Sequence, residues 1–411
     1  MIRNSLLTLQ IEPVQKLYQE NRSLFLSSLF IPVIAPLFFY CPTSILRTLF
    51  YISIPFLVTL VIKNKQAIWG LLSQDKITWG VLALFSVYMS TSVLWSSDAE
   101  ISRYFSKGKL SLILGLTTIS TFYISYRFPK FSDILKNSYI LGATSSAIIL
   151  IIHYLLTHGF SLPTERLEGL GRATNPVQAS LLYGLAVIAI IFGKLPFQHT
   201  RRQVYILKMA MILPSLVIIL MTQSRGPFLA LLLTLVIIFI LQSRNRIKAF
   251  SCGLIAIILV SVSVYGAFKN TDILNRKTTG RFQIWQTAIS QIKEHPIIGH
   301  GLATNNRYHY TKDDGTVMEA SHIHSLYLST AFQGGLIGLG LLIWIYYLFA
   351  IKYIDLIRKK VMDHMWIGGW VLMGAAFGIA DFGGIVINLS TEWLVFWWPI
   401  GLLWGQMARR P

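Results

Sequence analysis

Apolar stretches long enough to cross a bilayer recur along this chain, separated by short polar breaks. They fall at roughly 23–40, 45–62, 77–95, 109–126, 137–157, 178–193, 204–222, 227–242, 249–268, 326–351, 364–380 and 393–408. Inside hydrocarbon every backbone polar group must find a partner within the protein, so these twelve segments are expected as helices. The expected fold is all-α: a polytopic integral membrane protein of about 12 transmembrane helices. The whole chain, 1–411, reads as a single membrane domain. One long polar loop, 269–325, is inserted between spans 9 and 10 and carries short helices.

Composition agrees with that pattern. Hydrophobic residues make up 54% and charged residues 13% of the chain, and mean hydropathy is +0.58, which excludes an ordinary soluble domain. No small-residue cleavage site follows a short apolar core near the start, so the first span reads as a retained anchor. Cys41 and Cys252 fall near opposite membrane faces and are not expected to pair. The net charge of +19 does not point to nucleic acid, because the basic residues lie in short loops between spans, where topology is encoded.

With the N-terminus in the cytoplasm, 22 of the 36 Lys and Arg residues fall on the inner side, and seven of the remainder sit in the one long loop. Long segments weigh little in the positive-inside rule. Both termini are therefore expected inside, with loop 269–325 outside. The outer face then collects segment 158–177 with Arg166 and Arg172, the turn Gln223-Ser224-Arg225-Gly226, the long loop, and a stretch bounded by Asp381 and Glu392.

Several of these outer residues carry candidate chemistry. Arg225 lies in a turn too short to lift a guanidinium far from the membrane. It reads either as a snorkelling side chain or as an anion site, and positive charge on this face has no topogenic role. Arg281 opens an amphipathic helix with Phe282, Trp285, Ala288, Ile289 and Ile292 at helical spacing, expected to lie on the outer leaflet. It reads equally as an anion site or a solvated surface group. His295 and His300, in Glu-His-Pro-Ile-Ile-Gly-His-Gly, read as loop histidines. His322 and His324 stand where the loop enters an apolar helix, and an imidazole ordinarily titrates near neutrality. A base, an interfacial cap and a metal ligand are all open for them, though two histidines are too few for a metal site by themselves.

The ordered set Ser224-Arg225-Gly226, Gly280-Arg281-x-x-x-Trp285, His295-Pro-x-x-Gly-x-Gly and His324-Ser325 followed after nine residues by Gly335-x-x-Gly338 resembles the O-antigen ligases of Gram-negative bacteria, within the wider O-antigen ligase and polymerase superfamily. The resemblance implies a glycosyltransferase C-like enzyme of the bacterial inner membrane with its active site on the periplasmic face. Such an enzyme transfers polysaccharide from undecaprenyl diphosphate to a sugar hydroxyl of lipid A–core, inverting the anomeric carbon. It implies His324 as base and Arg225 and Arg281 as the groups holding the diphosphate, with His322, Trp285, Arg172 and Arg166 contacting substrate. Its partners are the lipid-linked donor, the lipid A–core acceptor and the bilayer. No cofactor and no metal are expected.

Two rivals share the superfamily. A polymerase typically carries a second sizeable outer loop with an Arg-x15-Gly pattern, and no arginine of segment 158–177 has a glycine sixteen residues on. A protein O-oligosaccharyltransferase shares the histidine-bearing loop and stays open. A transporter of lipid-linked glycan would show charges at mid-membrane and repeated broken helices; neither pattern is present.

Overall fold

A computed structural model describes residues 22–97, 101–160, 163, 165–195, 200–243, 245, 250–251, 253, 280–305, 307–311, 315–359, 361 and 364–409. Helices stand at eleven of the twelve expected spans; the ninth, 249–268, falls almost wholly outside the described residues, as do Cys252 and loop positions 269–279. In chain order the helices are α1 (Arg22–Leu37), α2 (Thr43–Lys63), α3 (Lys65–Leu72), α4 (Lys76–Thr91), α5 (Ile101–Arg127), α6 (Phe131–His158), α7 (Pro176–Phe192), α8 (Arg201–Met221), α9 (Arg225–Gln242), α10 (Arg281–Glu294), α11 (Leu326–Arg358), α12 (Met365–Phe377) and α13 (Trp398–Met407).

Six described helical segments are long and apolar enough to cross a membrane. Of the apolar window in Thr43–Lys63 only 28% of residues are buried, so its remaining surface is suited to lipid, not to a protein core. Pro32 and Pro36 lie inside α1, Pro55 inside α2 and Pro214 inside α8, as membrane helices tolerate. The helix starts are encoded locally. Asn175 accepts from the Val177 N–H ahead of Pro176 at the first turn of α7, and Thr200 with Gln203 forms a capping box on α8. Five tryptophans (366, 370, 393, 397 and 398) are fully buried between helices, so these rings pack protein and do not face lipid.

The long loop has a small core of its own. Ile284 and Ala288 of α10 pack with Tyr308, Ala320, Ile323 and Phe332. The two-stranded hairpin β1 (Tyr308–Thr311) and β2 (Val317–Ala320) contributes to it, with Tyr308 opposite Ala320.

The decisive local event is a break in α11. Gly335 has φ 61° and ψ −161°, a region open essentially to glycine alone. The loop 295–301 fills the break. His300 and Gly301 donate their backbone N–H groups to the carbonyls of Phe332 (2.8 Å) and Gln333 (2.9 Å), and Leu336 and Ile337 donate theirs to the carbonyls of Pro296 (2.8 Å) and Ile297 (3.2 Å). The Tyr88 hydroxyl on α4 donates to the Gly334 carbonyl at 2.8 Å. The Trp95 Nε1–H reaches the Ile298 carbonyl at 3.3 Å, so Trp95 also tethers this loop. Each of these backbone groups would otherwise be an unpaired polar group.

A Cβ at Gly335 would lie 2.2 Å from the Ile297 carbonyl oxygen, whereas one at Gly340 meets nothing within 4 Å. Gly335→Ala is therefore expected to lose roughly 1–3 kcal/mol from backbone strain alone, with the steric clash in addition. Gly340→Ala is expected to be neutral or slightly stabilising. Thermal unfolding of the two purified variants in one detergent checks this; equal midpoints would refute the role assigned to the break.

Candidate active site

One cavity of about 410 Å³ gathers residues from α5, α7, α11, the 171–174 turn, the 321–324 loop and the segment after α12. His322, His324, Arg281 and Arg172 line it, as do Asp381 and Glu392.

His324 sits two residues before the first residue of α11, directly ahead of its N-cap Ser325. Ser325 caps that helix through the Leu328 N–H, and the Leu326 N–H donates to the carbonyls of Gly378 (2.7 Å) and Asp381 (3.1 Å). These contacts bind the helix start to the segment that carries Asp381. Trp285 donates its Nε1–H to the Ile323 carbonyl at 3.0 Å. Between these two tethers His324 adopts φ 54°, a conformation uncommon for a non-glycine residue and met mainly where surrounding structure enforces it.

Asp381 connects the site. Its Oδ1 accepts from His324 Nδ1 at 3.2 Å and from the Phe382 N–H at 2.9 Å, and its Oδ2 accepts from Arg281 Nη2 at 3.0 Å. Burial raises the Asp381 carboxyl, but the His324 hydrogen bond and the Arg281 charge outweigh it and hold the carboxyl below its ordinary value. An ionised carboxylate only accepts hydrogen bonds, so Nδ1 of His324 carries a hydrogen, and in the neutral ring Nε2 is then the nitrogen with the free lone pair. The His322 ring packs on that of His324, with centroids 3.8 Å apart. Burial, followed by the neighbouring His324 and Arg281, pushes the His322 imidazole down to about 4, against the pull of Asp381. His322 is thus neutral at physiological pH.

His322, His324 and Asp381 bring their ligand atoms within 4.8 Å of one another, a spacing a metal ion could use. The carboxylate is already shared between a guanidinium and an imidazole, and Arg281 supplies positive charge at that point.

The other expected residues separate into two groups. Arg172 lines the cavity, its turn held by the Arg172 N–H donating to the Phe38 carbonyl at 3.0 Å. One of its Nη groups donates to the Ser390 Oγ at 3.2 Å. Arg166 does not line the cavity. Its Nε–H and Nη–H donate to the Thr222 carbonyl (3.1 Å) and Ser224 Oγ (2.6 Å), so it clamps the turn before α9 where a substrate contact was expected. Arg225 is exposed on the first turn of α9 and also lies outside the lining. Its neighbour Gly226 approaches Phe377, which does line the cavity. Trp285 supports the loop beneath His324 and does not reach the cavity. His300 stacks on Phe332 at 4.4 Å and bonds the Gln291 carbonyl through Nε2 at 2.7 Å, a structural role in keeping with a loop histidine.

Arg103, Lys107, Gln178, Tyr308 and Ser329 also line the cavity and were not singled out in the sequence. Arg103 and Lys107 had one available signal, their four-residue spacing in the first turns of α5. Among the described residues, buried polar atoms at Arg172 Nε, Gln178 Oε1, Tyr308 OH and Ser329 Oγ have no hydrogen-bond partner. Such groups are ordinarily satisfied in a native structure, so together they mark a cavity built for a polar ligand or ordered water.

A sequence model of the family described as O-Antigen ligase matches residues 210–343, the span holding Arg225, Arg281, loop 295–301, His324 and Gly335. The chain is also similar to an O-antigen ligase of Pseudomonas aeruginosa. The two are 24% identical over 329 residues, which cover 79% of this chain and 77% of that protein.

The depressed His322 value has a consequence for stability. In the unfolded chain this imidazole takes a proton near 6.5; in the folded protein it does so only near 4. Its contribution is present above the unfolded value and is lost as pH falls from 6.5 towards 4. The thermal midpoint is expected to drop between pH 7 and pH 5, and to drop less in His322→Asn. An identical fall in the variant would assign the pH dependence to other groups.

Proposed function

We propose that this chain, which belongs to the O-antigen ligase family, is a multi-pass membrane glycosyltransferase that moves polysaccharide from undecaprenyl diphosphate to a sugar hydroxyl of lipid A–core on the periplasmic face. The observation that carries the reading is Asp381 bridging His324 and Arg281 at the wall of a polar cavity. Base and cation are thereby held at a fixed separation, as an in-line displacement needs.

In the proposed step, the acceptor hydroxyl gives its proton to Nε2 of His324 as its oxygen attacks the anomeric carbon. The bond from that carbon to the phosphate oxygen breaks, and the diphosphate leaves with the electron pair. Attack opposite the leaving group inverts the anomeric centre. Asp381 orients the imidazole and stabilises the imidazolium. Arg281 offsets the charge developing on the diphosphate, and we assign Arg225, beside the cavity wall at Phe377, to the same anion. His322, neutral and packed on His324, restricts the catalytic ring. With both termini cytoplasmic, these groups face the periplasm, where no nucleotide triphosphate is available and a lipid-linked diphosphate supplies the activated donor.

Replacing His324 by Ala, or Asp381 by Asn, is expected to lower transfer at least 10²-fold with protein level and membrane insertion retained. The readout is lipopolysaccharide banding in a strain lacking the gene, together with turnover by purified protein. Normal banding with His324→Ala would remove the base assignment. Retention of a single repeat unit in the deletion strain, with only long chains lost, would indicate a polymerase instead.

Arg281→Lys is expected to be impaired almost as strongly as Arg281→Ala, since lysine keeps the charge and loses the planar fork that spans Asp381 and a phosphate. Turnover is also expected to persist in excess chelator, because Arg281 supplies the charge a divalent cation would. Activity that vanished with chelator and returned with Mg²⁺, Mn²⁺ or Zn²⁺ would make His322, His324 and Asp381 a metal site.

A further inference from the structure

We propose that Arg103, Lys107 and Arg172 form a second anion wall in this cavity, which binds phosphate groups of a lipid-linked saccharide apart from the Arg281–Asp381 pair. The proposal rests on the glycosyl-transfer reading above for its ligand class, and on charge and burial for its existence.

Arg103 and Lys107 are four residues apart on α5, so they project from neighbouring turns of one helix face. Arg172 joins them from the 171–174 turn, and all three line the cavity. Arg103 spends two of its guanidinium N–H groups on neutral acceptors, the Asn305 Oδ1 at 2.6 Å and the Thr304 carbonyl at 3.3 Å. Its charge therefore meets no carboxylate there. Among the described residues Lys107 has no hydrogen bond or ion pair from its ammonium, and the charges that act on it are Arg103 and Arg47, both positive. Arg47 also acts on Arg172. Among the described residues the Nε of Arg172 and the Nε of Arg47 are buried without a hydrogen-bond partner.

The acidic side of the balance is small. Asp381 is committed to Arg281 and His324. Glu392 is 5% exposed, and burial raises its carboxyl above the ordinary range, while hydrogen bonds and Arg172 pull it back. It accepts from Thr391 Oγ1 at 3.3 Å. One such carboxyl does not neutralise three cations. Like charges gathered in a partly desolvated cavity repel each other and lose hydration, and a bound polyanion relieves both costs. On the expected orientation these cations stand on the outer face, where the positive-inside rule gives no reason to hold them.

The chemistry that fits is a phosphate ester or diphosphate carried on a sugar or lipid. Its fork geometry suits Arg172 and its point charge suits Lys107. The neutral unpartnered groups of Gln178, Tyr308 and Ser329 in the same lining suit the adjoining hydroxyls. Two sources offer this chemistry: the diphosphate of the donor and phosphates borne by the acceptor saccharide.

The test is equilibrium binding to the full-length protein in lipid nanodiscs. The probes are undecaprenyl diphosphate and lipid A–core, the latter both phosphorylated and phosphatase-treated. Lys107→Gln is the principal variant, because Lys107 holds no hydrogen bond among the described residues; Lys107→Arg restores charge, and Arg172→Gln is the second variant. Thermal midpoints verify folding, and the salt dependence of wild-type binding gives a reading that needs no variant.

Lys107→Gln is expected to weaken one probe at least tenfold and to flatten its salt dependence, with Lys107→Arg close to wild type. Loss with undecaprenyl diphosphate assigns the wall to the donor. Loss with phosphorylated but not phosphatase-treated lipid A–core assigns it to the acceptor. Unchanged binding of both probes by folded Lys107→Gln and Arg172→Gln would overturn the wall and leave the transfer reaction standing. Wild-type protein that bound neither probe and transferred no sugar would overturn both.

Discussion

The exchange of backbone hydrogen bonds between loop 295–301 and the broken helix α11 sets the geometry of everything around it. A continuous helix from 326 to 358 would satisfy its own carbonyls and give the loop nothing to bind. The left-handed turn at Gly335 frees the carbonyls of Phe332 and Gln333 and the N–H groups of Leu336 and Ile337, and the loop takes all four. In a low-dielectric setting each group left unpaired would be costly, so the join is stiff. It anchors the first part of α11, whose N-cap Ser325 directly follows His324. Tyr88 and Trp95 extend the same join to α4.

A second constraint acts at the other end of the site. Asp381 lies in the segment after α12, Arg281 at the start of α10 and His324 before α11, so three elements distant in sequence meet on one carboxylate. The carboxylate makes its three hydrogen bonds with three different consequences. The Phe382 N–H fixes its own rotamer, Arg281 draws in the helix of the long loop, and His324 has its tautomer set. The small core around Ile284, Tyr308 and Phe332 holds α10 at the height where this meeting is possible. Removing Asp381 would leave a guanidinium and an imidazole facing each other with no anion between them.

The cavity as a whole is richer in cations than its carboxylates can match, and its lining contains polar atoms with no hydrogen-bond partner among the described residues. Both features fit a substrate that brings anionic groups and many hydroxyls. They also separate two tasks. In the proposed reaction Arg281 acts where charge develops during bond cleavage, while the proposed wall of Arg103, Lys107 and Arg172 offers a binding surface whose charge does not depend on the reaction.

The helical segments were legible in the chain because lipid imposes a strong, local rule: an apolar stretch must satisfy its backbone internally, and its length shows in composition. Arg281 at a helix start, His324 at a loop–helix junction and the glycine pattern after it were visible for similarly local reasons. The partners were not. Nothing in the spacing of residues pairs Asp381 with His324 across 57 positions, or brings Arg103 and Lys107 of α5 to a cavity opened by the 321–324 loop. Arg166 and Arg225 looked alike as outer-face arginines, yet one clamps a turn and the other is exposed beside the cavity wall. Even the role of Gly335 needed the tertiary structure, since its neighbour across the break comes from a loop some forty residues earlier. Local sequence determines where helices form and which side chains are suited to chemistry. Which of those side chains share a charge or a hydrogen bond is decided by packing between remote segments, because those interactions act over a few ångströms of space regardless of separation along the chain.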